Sequence, residues 1–118
     1  MADENQHIPE CDALCGCFTA PYDFLVTDND LGMDEHFGTA SLLRCSLCGQ
    51  RWLKYFYEIE AFTASGRWYL GAITAEQAMQ VSAGNARATM ERLSWYYFGG
   101  SFYEGKSGRT SGMIFLFP

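Results

Sequence analysis

The chain has 118 residues, room for one compact domain, and 48% of them are apolar while 19% are charged. With Phe 9, Tyr 7 and Trp 3, the composition excludes a disordered chain, which would be poor in aromatic residues. No apolar run approaches the ~18 residues of a spanning helix, and a net charge of −6 excludes a wholly basic nucleic-acid footprint.

The charge is unevenly placed. Residues 1–43 hold nine acids and no Lys or Arg, whereas residues 44–118 hold all eight bases and five acids, a net of +3. Such a split points to internal mating of the two parts, to an acidic face offered to a basic partner, or to a solvated segment kept for solubility. Asp3, Glu4, Glu10 and Asp12 are the reverse of a signal-peptide start, so a cytoplasmic location is expected.

In chain order, residues 1–14 read as a polar, mobile start to a single zinc-stabilised α+β domain over 1–118. Cys11, Cys15 and Cys17 follow. Tyr22–Val26 is a short strand, and Asp28–Gly32 a turn. Asp28 to Glu35 has the carboxylate density of a calcium loop. Its glycine sits one place early, however, and Thr39 stands where the closing Glu belongs, so an acidic turn is the better reading. His36, beside Asp34 and Glu35, is a general-base candidate with no identifiable nucleophile. Thr39–Arg44 is a second strand.

That strand leads into Cys45-Ser46-Leu47-Cys48-Gly49. Two thiolates at this spacing reach one tetrahedral Zn²⁺ at ~2.3 Å, and Gly49 lets the backbone turn with positive φ and aim its N–H groups at sulfur. The five residues resemble the knuckle of zinc-ribbon and rubredoxin-like sites. The second pair of ligands is drawn from the first cysteine group. Cys15 and Cys17 are preferred because Gly16 permits a tight chelate turn. Cys11 with Cys15 is the alternative, and a mixed set using His36 or His7 a further one. Four thiolates leave no open coordination position, so the zinc is structural. A redox dithiol would want the C-x-x-C at a helix N-terminus, whereas here it runs into a strand. Ordinary buried thiols are the third reading.

Arg51–Phe62 and Arg67–Ile73 form a hairpin about Ser65-Gly66. A two- or four-residue loop puts Leu53, Tyr55 and Tyr57 on one face with Trp68 and Leu70. It puts Glu58, Glu60, Phe62, Arg67 and Tyr69 together on the other, a candidate partner-binding surface or a cross-strand ion pair. Thr74 to Gln77 is a capping box, with Ser82 a second N-cap. From there Ala86, Met90, Leu93 and Tyr97 trace one stripe of a helix that Gly99-Gly100 ends. Gly100 to Ser107 matches G-x-x-x-x-G-K-[ST], yet it follows a helix and precedes no helix, so a glycine-rich hairpin is expected and no nucleotide. Gly112–Pro118 reads as a buried closing strand. An antiparallel sheet, one principal helix and a zinc-ribbon-like knuckle make an α+β fold.

Three function classes are open. The first is a non-catalytic, zinc-stabilised protein-binding domain, in the manner of an immunity protein or antitoxin that neutralises or regulates a protein partner, with no membrane role. The second is a zinc-ribbon nucleic-acid module, which the charge opposes. The third is a small enzyme of unidentified chemistry.

Overall fold

The aromatic and branched side chains of Arg51–Tyr57 suit a half-buried pleat, and this segment forms a central strand of one antiparallel sheet. In the computed structural model, which describes Cys17, Tyr22 and residues 24–116, the strands are β1 (Leu25–Met33), β2 (Thr39–Cys45), β3 (Arg51–Tyr57), β4 (Arg67–Ile73), β5 (Tyr96–Gly99) and β6 (Gly108–Thr110). Each pairs with the next in sequence, so the sheet is a six-stranded meander. The helical segment between β4 and β5 consists of α1 (Ala75–Gln80), a 3₁₀ turn (Ala83–Asn85) and α2 (Ala86–Glu91). The architecture is α+β, with 83–91 as the principal helical stretch.

Period two separates two cores. Ala40, Leu42, Leu53, Tyr55, Tyr69, Ile73 and Tyr96 face the helical side and pack with Ala86, Met90 and Ile114. Leu43, Cys45, Trp52, Leu70 and Tyr97 face the other side, where Cys17 completes the cluster and Tyr22 packs against it. The helical layer rests on Gly71, where a Cβ would land on the side chains of Met90 and Leu93. The bare backbone leaves room for those side-chain ends, which a larger residue would have to displace.

Four expectations need correction. First, the acidic run is not a turn: β1 continues through Asp28 and Asp30 to Met33, with register shifts at Thr27/Asn29 and Asp30/Gly32. As an edge strand it keeps its acids in water, and the bulges bend it away from foreign pairing. Secondly, β3 stops at Tyr57 and pairs it with Arg67, so residues 58–66 form the loop. Nine is odd, and odd parity moves β4 onto the opposite face from that expected. Arg67 and Tyr69 therefore join Tyr55 in the core, at 0% and 2% exposure.

Thirdly, the helix ends with Glu91, capped at Arg92. Tyr97 belongs to β5 and to the cysteine-side cluster, because the run Trp95-Tyr96-Tyr97-Phe98 favours a strand over continued helix. Lastly, residues 111–116 form no strand. Ile114 is buried and its N–H donates to Glu91 Oε2 at 2.8 Å, while Arg67 Nη1 donates to the Phe115 carbonyl at 3.1 Å. Side chains hold this segment in place of a ladder.

The capping box forms as expected: Thr74 Oγ1 accepts from Gln77 N at 3.0 Å and Gln77 Oε1 from Thr74 N at 2.8 Å. No helix among the described residues is long and apolar enough to cross a membrane.

Candidate metal centre

β2 ends at Cys45 on the sheet face away from the helices, and the chain must reverse within five residues to start β3 at Arg51. The reversal is the knuckle. Gly49 takes φ +82°, its N–H donates to the Cys45 carbonyl at 3.0 Å, and Cys45 N donates to the Gln50 carbonyl at 2.9 Å. The turn then points amides at sulfur: Leu47 N and Cys48 N donate to Cys45 Sγ at 3.3 and 3.5 Å. Charge-assisted bonds of this kind favour the thiolate that a metal requires. Gln50 anchors the base, its Nε2 donating to the carbonyls of Arg51 at 2.7 Å and Ile73 at 3.1 Å.

Cys17 arrives from the N-terminal side and is wholly buried beside Cys45, while Cys48 is exposed. The three sulfurs lie within 4.8 Å of one another, with Cys17 and Cys48 Sγ 3.9 Å apart. Thiolates at ~2.3 Å around a tetrahedral ion sit about 3.8 Å from each other, so the spacing suits a single metal ion. Cys17, Cys45 and Cys48 can hold a metal ion. Cys15, expected as the fourth ligand, lies outside the described residues, as do Cys11 and His7. His36 stands apart from the cluster, its Nε2 3.4 Å from Glu35.

The remaining candidate residues are dispersed. Glu58 and Glu60 are exposed in the β3–β4 loop, and Phe62 is 53% exposed there. Arg67 and Tyr69 do not join them. Arg67 lies 3.7 Å from the centroid of Phe102 with its Nε donating to the Ser65 carbonyl, and the Tyr69 hydroxyl meets that of Tyr103 at 2.7 Å. The acids of the calcium-like run serve separate partners. Asp28 approaches Arg44 and Arg51 at 3.8 and 3.7 Å, which realises part of the internal charge mating, and Asp30 Oδ1 accepts from Gly32 N. Gly100 to Ser107 carries a 3₁₀ turn at Ser101–Tyr103 and reverses into β6, a hairpin loop as expected.

Asp34 was legible only as part of the acidic run, yet it organises the β1–β2 turn. Oδ1 accepts from His36 N and Gly38 N, both at 2.9 Å, and Oδ2 accepts from the Tyr55 hydroxyl at 2.6 Å. Burial works to raise its pKa, but the bonds from Tyr55, Gly38 and His36 together outweigh burial and hold it below the ordinary carboxylate value. The same contact, after burial, pushes the Tyr55 phenol well above its usual range. Family models, curated proteins and solved structures yield no match to this chain.

Proposed function

We propose that this chain is a non-catalytic protein-binding domain whose N-terminal segment is clamped to the sheet by a structural zinc ion. The observation that carries the reading is the convergence of Cys17 on the Cys45–Cys48 knuckle, since it brings three sulfurs from distant pieces of chain within reach of one ion. Cys15, two residues before Cys17, is the proposed fourth ligand, and Cys11 the spare. An all-thiolate tetrahedron selects a soft ion, shields it from substrate and water, and supplies stability in place of chemistry.

A protein partner, in the manner of a toxin neutraliser or a regulator, suits the charge better than nucleic acid. Zinc held by four thiolates takes the net −6 to about −8. Of the eight bases, Arg44 and Arg51 meet Asp28, Arg87 meets Glu91, Arg67 is buried and Arg109 stacks on Trp95, so five are occupied within the fold. Arg67 is out of reach of a phosphate, and the others would have to leave their present partners to meet one.

The test is metal analysis joined to cysteine replacement. Purified under reducing conditions, the chain should carry one equivalent of zinc. Cys45→Ser, Cys48→Ser, Cys17→Ser and Cys15→Ser should each cost it, and Cys11→Ser should not. A folded, reduced sample holding well under one equivalent would end the metal reading. A salt-dependent mobility shift with mixed RNA and DNA would replace the protein partner with nucleic acid.

A further inference from the structure

The ends of β2 and β3 remote from the knuckle carry an unusual surface. The turn at Asp34–Gly38 places Phe37 at φ +67° with 75% of its surface in water, and the neighbouring Met33 is 56% exposed. A bulky aromatic residue in left-handed backbone is costly, on the order of 1–3 kcal/mol, and the three bonds to Asp34 hold it there. Strain maintained in order to expose a phenyl ring is a mark of use.

Facing this turn, the end of β3 and the residues after it supply Phe56, Tyr57, Glu58, Ile59 and Glu60, and the two sides enclose a cleft of about 530 Å³. Met33, Phe37, Phe56 and Ile59 make the greater part of its lining apolar. Its titratable side chains are Glu58, Glu60, Tyr57 and His36, the last held 3.4 Å from Glu35, and no Lys or Arg lines it. Such a lining repels phosphates and anionic membrane surfaces. It attracts a cation that brings an apolar group with it.

We propose that this cleft docks a Lys- or Arg-bearing segment of a partner protein, which seats an apolar side chain against Phe37, Phe56 and Ile59 while its cations meet Glu58 and Glu60. The inference rests on the protein-binding reading and supplies its address. Apolar anchoring sets how long the segment stays, and the acidic rim sets how fast it arrives.

Selection of short random peptides displayed on phage against the zinc-loaded chain tests it. Two variants serve as controls: Glu58→Gln with Glu60→Gln, and Phe37→Asn, since Asn tolerates positive φ. These side chains are exposed, so zinc content should match the wild type; the double Glu variant should also keep the wild-type melting temperature, and Phe37→Asn, relieved of strain, should melt no lower. Enriched peptides should combine Lys or Arg with Leu, Ile or aromatic residues. As free peptides they should bind each variant about tenfold or more weakly, and the Glu-dependent part should vanish near 1 M salt, where the Debye length is ~3 Å. Peptides that bind both variants as well as the wild type would overturn the cleft and leave a protein-binding domain with another docking surface. An acidic consensus would overturn the proposed partner chemistry, and a selection that enriches nothing would count against both the cleft and the protein-binding reading.

Discussion

At the scale of single residues, Asp34 makes one of the shortest hydrogen bonds among the described residues. Its carboxylate accepts the Tyr55 hydroxyl at 2.6 Å and two turn amides, so it joins β3 to the tip of the first hairpin. Asp34→Asn keeps the shape but turns an acceptor into a donor against one of these groups. The loss should be about 1–2 kcal/mol at neutral pH, with Phe37 released from its left-handed conformation. The folded pKa is depressed, so the stabilisation is complete above the unfolded value near ~3.9 and disappears as pH falls through the folded one. Thermal melts should thus show a gap between wild type and variant that is full near pH 7 and closes in strong acid. A gap independent of pH would mean that the carboxylate charge is not what the turn uses. The importance of Asp34 was hidden because Tyr55 lies 21 residues away, and only the sheet register brings the two together. The knuckle was legible because its logic is local: two cysteines, their spacing and a glycine lie in one pentapeptide.

At the scale of elements, the sequence showed where strands lie better than which way they face. Arg51 onward and Arg67–Ile73 were legible from aromatic and β-branched content, Thr39–Arg44 as the strand leading into the knuckle, and α1 from its capping box. What stayed hidden was parity. One unrecognised odd loop, residues 58–66, carried Arg67 and Tyr69 from an expected exposed surface into the core. The helix was overextended for a different reason. Tyr97 happens to stand eleven residues beyond Ala86, a spacing that also suits a strand packed on the opposite face. Gly71 is the element-level counterpart of these errors, since nothing in the sequence marks it as the seat of α2. Gly71→Val should force Met90, itself wholly buried, and Leu93 out of register with β4. Overpacking of this kind costs about 1–3 kcal/mol, readable as a lower denaturant midpoint. Zinc content should be unchanged, because Gly71 faces away from the cysteines. A variant that loses metal along with stability would show that the two faces of the sheet are not separable.

At the scale of the whole molecule, that separation leads to the last prediction. One sheet carries two cores, and the sulfur cluster belongs to only one of them. Structural zinc contributes on the order of 10 kcal/mol in domains that have almost no other core, and there the metal-free chain unfolds outright. Here the helix-side core is built from Leu53, Tyr55, Tyr69, Ala86 and Met90 without a metal ligand among them. Chelation should therefore loosen the cysteine side first. All three tryptophans report on that side: Trp52 is buried in the cysteine cluster, and Trp68 and Trp95 pack against it. Removal of the ion with a strong chelator under reducing conditions should shift tryptophan emission to the red as Cys17 and its segment leave the sheet. Hydrogen exchange should stay slow at Tyr55, Tyr69 and Met90, within the helix-side core. Restoring one equivalent of zinc should reverse the emission change, and the Cys11→Ser variant should follow the wild type throughout. If emission and core amide protection collapse together, the metal holds the entire fold, and the sheet is one cooperative unit in place of two.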